Sequence, residues 1–201
     1  MSGVIGLTGG IATGKSTVSA MLKELGAEVV DADQLAREAV LKGTPAFQEI
    51  VKAFPGVVAK DGELDRDKLG EQIFKDAAKR KVLNGIVHPR VAALALDRFQ
   101  RAYARGAPVV VYDVPLLIEN GLQSTMQGVI LVTAPLAVQR ERLMARNHLP
   151  AKRADQRIAA QLPLEQKKKH ATWIIDNGGT REATKQQVLK LWPKLQAAGQ
   201  R

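Results

Sequence analysis

Val4-Ile5-Gly6-Leu7-Thr8-Gly9-Gly10-Ile11-Ala12-Thr13-Gly14-Lys15-Ser16-Thr17 is the stretch that decides how this chain folds. Val4 to Leu7 is a short apolar run of the kind that forms a buried strand. From Lys15 to Leu25 apolar residues recur with helical spacing at Val18, Met21, Leu22 and Leu25. Between the two, Gly9 to Ser16 matches G-x-x-x-x-G-K-[ST]. Glycines let successive backbone N–H groups turn inward around phosphate oxygens, and the start of the helix adds its partial positive charge. The spacing therefore predicts a phosphate-binding loop in which Gly10, Ile11, Ala12, Thr13 and Gly14 surround the phosphates. Lys15 reaches the β- and γ-phosphates, the Ser16 hydroxyl ligates Mg²⁺, and Thr17 donates to a further phosphate oxygen. The competing reading is a glycine-rich turn with a solvated lysine, and the strand before and helix after the motif weigh against it.

Outward from this turn the chain alternates strand and helix. Gly26 is a natural residue just past a helix end, and Ala27 to Val30 is a second strand running into Asp31-Ala32-Asp33. A helix from about Gln34 to Lys42 follows, and the chain stays mostly helical to Arg105, with Thr44-Pro45 opening one helix and Asp76 capping another. Val109 to Tyr112, Gly128 to Val132 and Trp173 to Ile175 are further strands. Continuous apolar runs separated by helices predict a parallel sheet covered on both faces. There is no internal repeat, low-complexity segment or linker, so the helical stretch is an insertion within one α/β domain.

Composition narrows the function classes. With 201 residues, 45% of them hydrophobic, the chain can bury a full core, which excludes a disordered tail. It has no cysteine, so disulfides, thiolate metal sites and thiol catalysis are excluded. No apolar run is long enough to span a membrane, and Met1 to Ile5 lacks a signal peptide's basic region, so a cytoplasmic protein is expected. A net charge of +10 attracts polyanions. Nine basic residues against three acids lie between Pro135 and His170, more than half of the excess. Only 4% of residues are aromatic, which argues against a surface that stacks single-stranded bases. A GTPase would carry a base-reading N-K-x-D element, and none is present.

Leu7-Thr8-Gly9-Gly10-Ile11, Gly14-Lys15-Ser16-Thr17 and Val30-Asp31-Ala32-Asp33 with Ala36-Arg37 resemble the dephospho-CoA kinase family. So do Gly62-Glu63-Leu64-Asp65-Arg66, Ile86-Val87-His88-Pro89, Asp113-Val114-Pro115-Leu116-Leu117 with Glu119, and Ile175-Asp176-Asn177-Gly178. The resemblance runs in order along essentially the whole chain. It departs at Ala12 and Thr13, where the family usually has Gly and Ser, and at Ala171-Thr172, where it tends to Ala-Asp. An alanine cannot take a positive φ freely, so a loop that needs one at Ala12 would lose about 1 kcal/mol of nucleotide affinity.

The resemblance implies a P-loop kinase: a five-stranded parallel sheet with the first strand central and helices on both faces, a helical acceptor-binding insertion and a lid. The nucleotide-binding core would comprise 1–34 and 106–201, the insertion 35–105 and the basic lid 136–170. The implied reaction is transfer of phosphoryl from ATP, with Mg²⁺, to the ribose 3′-hydroxyl of dephospho-CoA, by a monomer with neither nucleic-acid nor membrane partners. Asp33 is the implied general base, against the alternative that it caps the helix starting at Gln34. Asp31 is secondary. Asp113, ending an apolar strand, is the implied Mg²⁺ ligand with Ser16, and a turn former otherwise. Arg140 is the implied lid arginine that neutralises charge on the moving phosphoryl; Arg140 and Arg146, six apart, cannot form one clamp. Arg142, Lys152 and Lys167 to Lys169 are expected to be solvated charges. Arg37, His88, Pro89 and Leu116 are implied acceptor contacts, with His88-Pro89 otherwise a helix start, and Asn177 is an implied nucleotide contact. The rival classes are a nucleic-acid-stimulated NTPase, another small-molecule kinase and a non-catalytic nucleotide sensor.

Overall fold

A computed structural model describes residues 3–74 and 76–199. In chain order the elements are β1 (Ile5–Gly9), α1 (Lys15–Glu24), β2 (Glu28–Asp31), α2 (Ala32–Ala39), α3 (Pro45–Ala53), α4 (Arg66–Phe74) and α5 (Ala77–Ala104). Then come β3 (Val110–Asp113), a 3₁₀ turn (Leu122–Thr125), β4 (Gly128–Thr133), α6 (Leu136–Asn147), α7 (Ala151–Ala159), α8 (Leu164–Lys168), β5 (Trp173–Asp176) and α9 (Arg181–Gly199). Two compact units result, one of 1–30 with 101–201 and one of 31–100.

The first unit holds a five-stranded parallel sheet in the order β2-β3-β1-β4-β5, with the first strand central as expected. β1 pairs in parallel with β3 and β4, and β4 with β5. Alternate side chains of β1 and β4, Ile5, Leu7, Ile130 and Val132, pack with Val111 and Ile175 on Val18, Met21 and Leu22 of α1 and Val188, Leu191 and Leu195 of α9. The intervening positions Val129 and Leu131 are equally buried, which is why these strands read as unbroken apolar runs. At Gly6 a Cβ would lie 2.6 Å from the Leu117 side chain, so the chain leaving β3 closes over the middle of β1. This topology brings the carboxyl ends of β1, β3, β4 and β5 together, the edge at which open α/β sheets place ligands.

The second unit is helical around its own core, in which Ala46, Ile50, Phe54, Val57 and Ile86 are buried. Thr44 caps α3 with Pro45 in its first turn, and Asp76 accepts the Lys79 N–H at the start of α5, both as the sequence predicts. Among the described residues from α2 to α5, an isolated bridge between Val58 and Leu64 is the nearest approach to a strand. Two expectations are corrected. α2 starts at Ala32, two residues before the expected position, because the Asp31 carboxylate accepts the N–H groups of Asp33 and Gln34 at 2.8 and 3.2 Å; the cap is Asp31, and Asp33 stands inside the first turn. His88-Pro89 starts no helix, since Pro89 lies inside the 28-residue α5. A proline there costs roughly 3 kcal/mol. Burial of Ile86, with Leu83, Val87, Val91 and Leu94 packed beside it on the same core, carries the helix through. No helix among the described residues is long and apolar enough to cross a membrane.

Candidate active site

The loop between β1 and α1 is shaped by contacts its own residues demand. Gly14 takes a left-handed conformation, φ 84°, at the N-cap of α1, and a Cβ there would fall inside the Asn177 amide. Thr13 is fully buried, its hydroxyl donating to the Gly10 carbonyl at 2.9 Å, so the unusual threonine fastens the loop across its own turn. The N–H groups of Ala12, Gly14, Lys15 and Ser16 have no protein acceptor among the described residues. Those donors and the α1 dipole form an anion site.

Ala12 has φ 59°, the left-handed conformation that a glycine reaches freely. The strain belongs to the protein's own fold, so its cost falls on stability rather than on nucleotide affinity. Ala12→Gly should relieve about 1–2 kcal/mol of backbone strain and lose about 0.5–1 kcal/mol to the freer unfolded chain. We expect a small rise in Tm with the KM for ATP unchanged; thermal melts and ATP titration of turnover check it, and a lower Tm would show that the alanine conformation is unstrained.

Lys15 forms an ion pair with Asp113, which ends β3 next to Leu7 of β1 and is 4% exposed. β1 and β3, sequence-distant neighbours, thus put an ammonium and a carboxylate together at the loop's mouth. Ser16 is exposed in the first turn of α1. Behind the loop, buried Asn177 donates to the Thr13 carbonyl at 2.8 Å and accepts the Thr184 hydroxyl at 2.7 Å. Its side chain is therefore directed at the loop backbone.

α6 to α8 bound a cavity of about 970 Å³ that reaches from Gly10 to the ends of β4 and β5, walled by Leu136, Ile158, Leu164 and Ile174. Its size suits a nucleotide-sized ligand. Arg140 lines it, held by two hydrogen bonds to Asp155 at 2.6 and 2.9 Å that push its guanidinium still further above the ordinary value. Arg142 points instead to the loop, donating to the Thr13 carbonyl at 3.4 Å. The expectation that Arg142 and Lys167 are solvated charges is thus corrected: Arg142 is half-buried on the loop, and Lys167 is fully buried against Glu119 at 2.7 Å. The pattern Gln139, Arg142, Leu143 marks the inward face of α6, with Gln139 and Leu143 buried, and could have singled out Arg142. Gln161 and Thr184, which also reach the site, carry no motif.

The remaining candidates stand on exposed surfaces. Asp33 and Arg37 lie four apart on α2, and His88 and Pro89 on α5, all exposed in the second unit. Leu116 is 41% exposed in the segment after β3.

A family model described as dephospho-CoA kinase matches residues 3–182. The chain belongs to the dephospho-CoA kinase family. It is 47% identical over 200 residues to the dephospho-CoA kinase of Geobacillus kaustophilus, covering 98% of this chain and all of that one. A crystal structure from Thermus thermophilus is 37% identical, with a TM-score of 0.85 over 95% of this chain and 96% of the other. A dephospho-CoA kinase from Campylobacter jejuni is 26% identical, with a TM-score of 0.74 over 98% of both. The chain is accordingly a P-loop kinase whose family catalyses the last step of coenzyme A biosynthesis. The geometry of the dephospho-CoA kinase loop and its Lys15–Asp113 pair suits phosphoryl transfer, which depends on positioning and on neutralising charge more than on covalent chemistry.

Proposed function

We propose that the chain transfers the γ-phosphoryl of ATP to the ribose 3′-hydroxyl of dephospho-CoA, with the roles distributed as follows. The observation that carries the reading is the loop itself: four N–H groups without a protein acceptor at the start of α1, with Lys15 at their mouth. Lys15 leaves Asp113 for the β- and γ-phosphates. The nucleotide's base and ribose occupy the cavity walled by Leu136, Ile158, Leu164 and Ile174, and Asn177 holds the loop from behind.

No cluster of three or more metal-ligating side chains occurs among the described residues, so a closed protein cage for the metal is absent there. The donors at hand are hard oxygens, the Ser16 hydroxyl and the Asp113 carboxylate. They fit Mg²⁺ held mainly by phosphate oxygens and water. Bound there, the ion would neutralise charge on the β- and γ-phosphates.

Asp33 accepts the proton of the acceptor hydroxyl. Its exposure and the transfer of the capping role to Asp31 support this assignment. Arg37, His88, Pro89 and Leu116 contact dephospho-CoA, whose diphosphate suits a chain of net charge +10. Of the lid arginines, Arg142 stabilises the moving phosphoryl and Arg140 binds the nucleotide outside the reacting centre. Arg142→Ala should therefore lower kcat on the order of 10²-fold, the cost of removing one transition-state donor. Arg140→Ala should chiefly raise the KM for ATP. Steady-state kinetics on both variants decide the assignment, and a kcat loss confined to Arg140→Ala would reverse it.

The reading as a whole is tested by ADP release coupled to a panel of acceptors. Dephospho-CoA should give turnover while nucleosides, nucleoside monophosphates, DNA and RNA give none. Stimulation by nucleic acid would replace the reading with that of a nucleic-acid-dependent NTPase.

A further inference from the structure

Between α7 and α8 the chain passes through Ala160-Gln161-Leu162-Pro163, with Gln161 half-buried. A glutamine in a connection normally turns its amide to water. Here the Gln161 Oε1 accepts the backbone N–H of Ile11 at 2.7 Å, within the phosphate loop. This N–H lies at the leading end of the loop. The donors that follow it, those of Ala12, Gly14, Lys15 and Ser16, have no protein acceptor among the described residues. One donor is thus taken by the lid, and the others are left for the ligand.

The next residues are fixed as firmly. The Leu162 N–H donates to Glu119 Oε1 at 3.3 Å, and the same oxygen lies 2.7 Å from the ammonium of Lys167. Lys167 is fully buried in α8, and its contact with Glu119 is ionic rather than a directed hydrogen bond. An ammonium removed from water needs a counter-charge, so Glu119 and the segment from Gln161 to Lys167 cannot move apart without leaving that charge buried and unmatched. Glu119 is in turn tied to β1: the Val114 N–H donates to the Leu7 carbonyl at 2.9 Å and the Thr8 hydroxyl to the Pro115 carbonyl at 3.0 Å. The contacts close a circuit from β1 through the loop at Ile11, Gln161, Leu162, Glu119 and Pro115 back to Thr8.

We propose that Gln161 is a positioning residue for ATP, holding the leading end of the phosphate loop at Ile11, and that Glu119, with Lys167, sets the position of Gln161. This rests on the reading that the loop receives the phosphates of ATP. A loop whose donors are aimed beforehand loses less freedom on binding. The amide suits this place better than a carboxylate, because it accepts the same N–H without setting a negative charge beside a triphosphate.

The test measures binding of MgATP by calorimetry alongside turnover with dephospho-CoA, for the full chain and its variants. Gln161→Met keeps the side chain's length and removes the acceptor. It should weaken MgATP binding roughly three- to tenfold, because the loop's donors are no longer aimed beforehand, and lower the Tm only slightly, by the loss of one neutral hydrogen bond from the free fold, while the KM for dephospho-CoA stays at its wild-type value. Glu119→Gln should weaken MgATP binding in the same direction. The doubly substituted chain should bind MgATP no worse than the weaker single variant, because the two residues act through one contact. If Glu119→Gln fails to fold, Glu119→Asp, which keeps the charge and shortens its reach, replaces it in the cycle. Wild-type MgATP affinity in Gln161→Met overturns the proposal, and so do losses that multiply in the double variant. A wild-type chain that binds MgATP but does not phosphorylate dephospho-CoA would overturn the functional reading instead, and the binding cycle would still decide the role of Gln161.

Discussion

Lys15→Ala should reduce phosphoryl transfer to dephospho-CoA on the order of 10³-fold or more. The ammonium stands at the mouth of the loop on Asp113, where it neutralises a buried carboxylate until phosphates arrive. No other lysine of the chain lies between Gly9 and Met21, and Arg142, 129 positions after Thr13, reaches the loop only at its Thr13 carbonyl. Removing one preorganised donor at a developing charge costs 10²–10³ in typical enzymes, and a side chain that serves both β- and γ-phosphates sits at the upper end of that range or beyond it. Dephospho-CoA binding should persist in calorimetry. Near wild-type ADP release from the variant would mean that the match from Gly9 to Ser16 is fortuitous.

Asp33→Asn should lower kcat by roughly 10²–10⁴, the usual contribution of a general base, with MgATP affinity and Tm retained. The structure sharpens this test. Asp31 caps α2, with its carboxylate on the N–H groups of Asp33 and Gln34, so changing Asp33 leaves the cap in place. Asp31→Ala is the counterpart: it should cost about 1 kcal/mol of stability through loss of the cap and spare most of the turnover. Thermal melts and kcat on the two variants together separate the roles. An Asp33→Asn chain that phosphorylates dephospho-CoA at full rate removes the base assignment, and an Asp31→Ala chain as slow as Asp33→Asn would move it to Asp31.

Much of the site was legible because its chemistry is local. The loop from Gly9 to Ser16 needs residues at fixed spacing between one strand and one helix, and it formed where the motif stands. Asp113 was legible as the polar end of an apolar run, although its pairing with Lys15 depends on β3 lying beside β1. Arg142 was missed, although its spacing from Gln139 and Leu143 places the three on one face of α6. A helix presents basic residues on every side, and only the packing of Gln139 and Leu143 shows which side faces the loop. Lys167 was misread for a related reason: three successive lysines look solvated until one of them is buried on Glu119, 48 positions earlier in the chain.

By itself, then, the sequence determined the α/β class, the parallel sheet, the phosphate loop and the family, since these follow from periodicity and from short motifs whose geometry lies within a few residues. The tertiary structure decided which of two nearby aspartates caps α2, because a cap is a hydrogen bond to particular N–H groups and the helix start differed by two residues from its pattern. It decided that α5 continues through Pro89, where burial on the second unit's core outweighs a local cost. It also decided which cations meet the loop and that Gln161, between α7 and α8, bonds to it. Those choices turn on contacts between segments more than a hundred residues apart, about which local pattern carries no information.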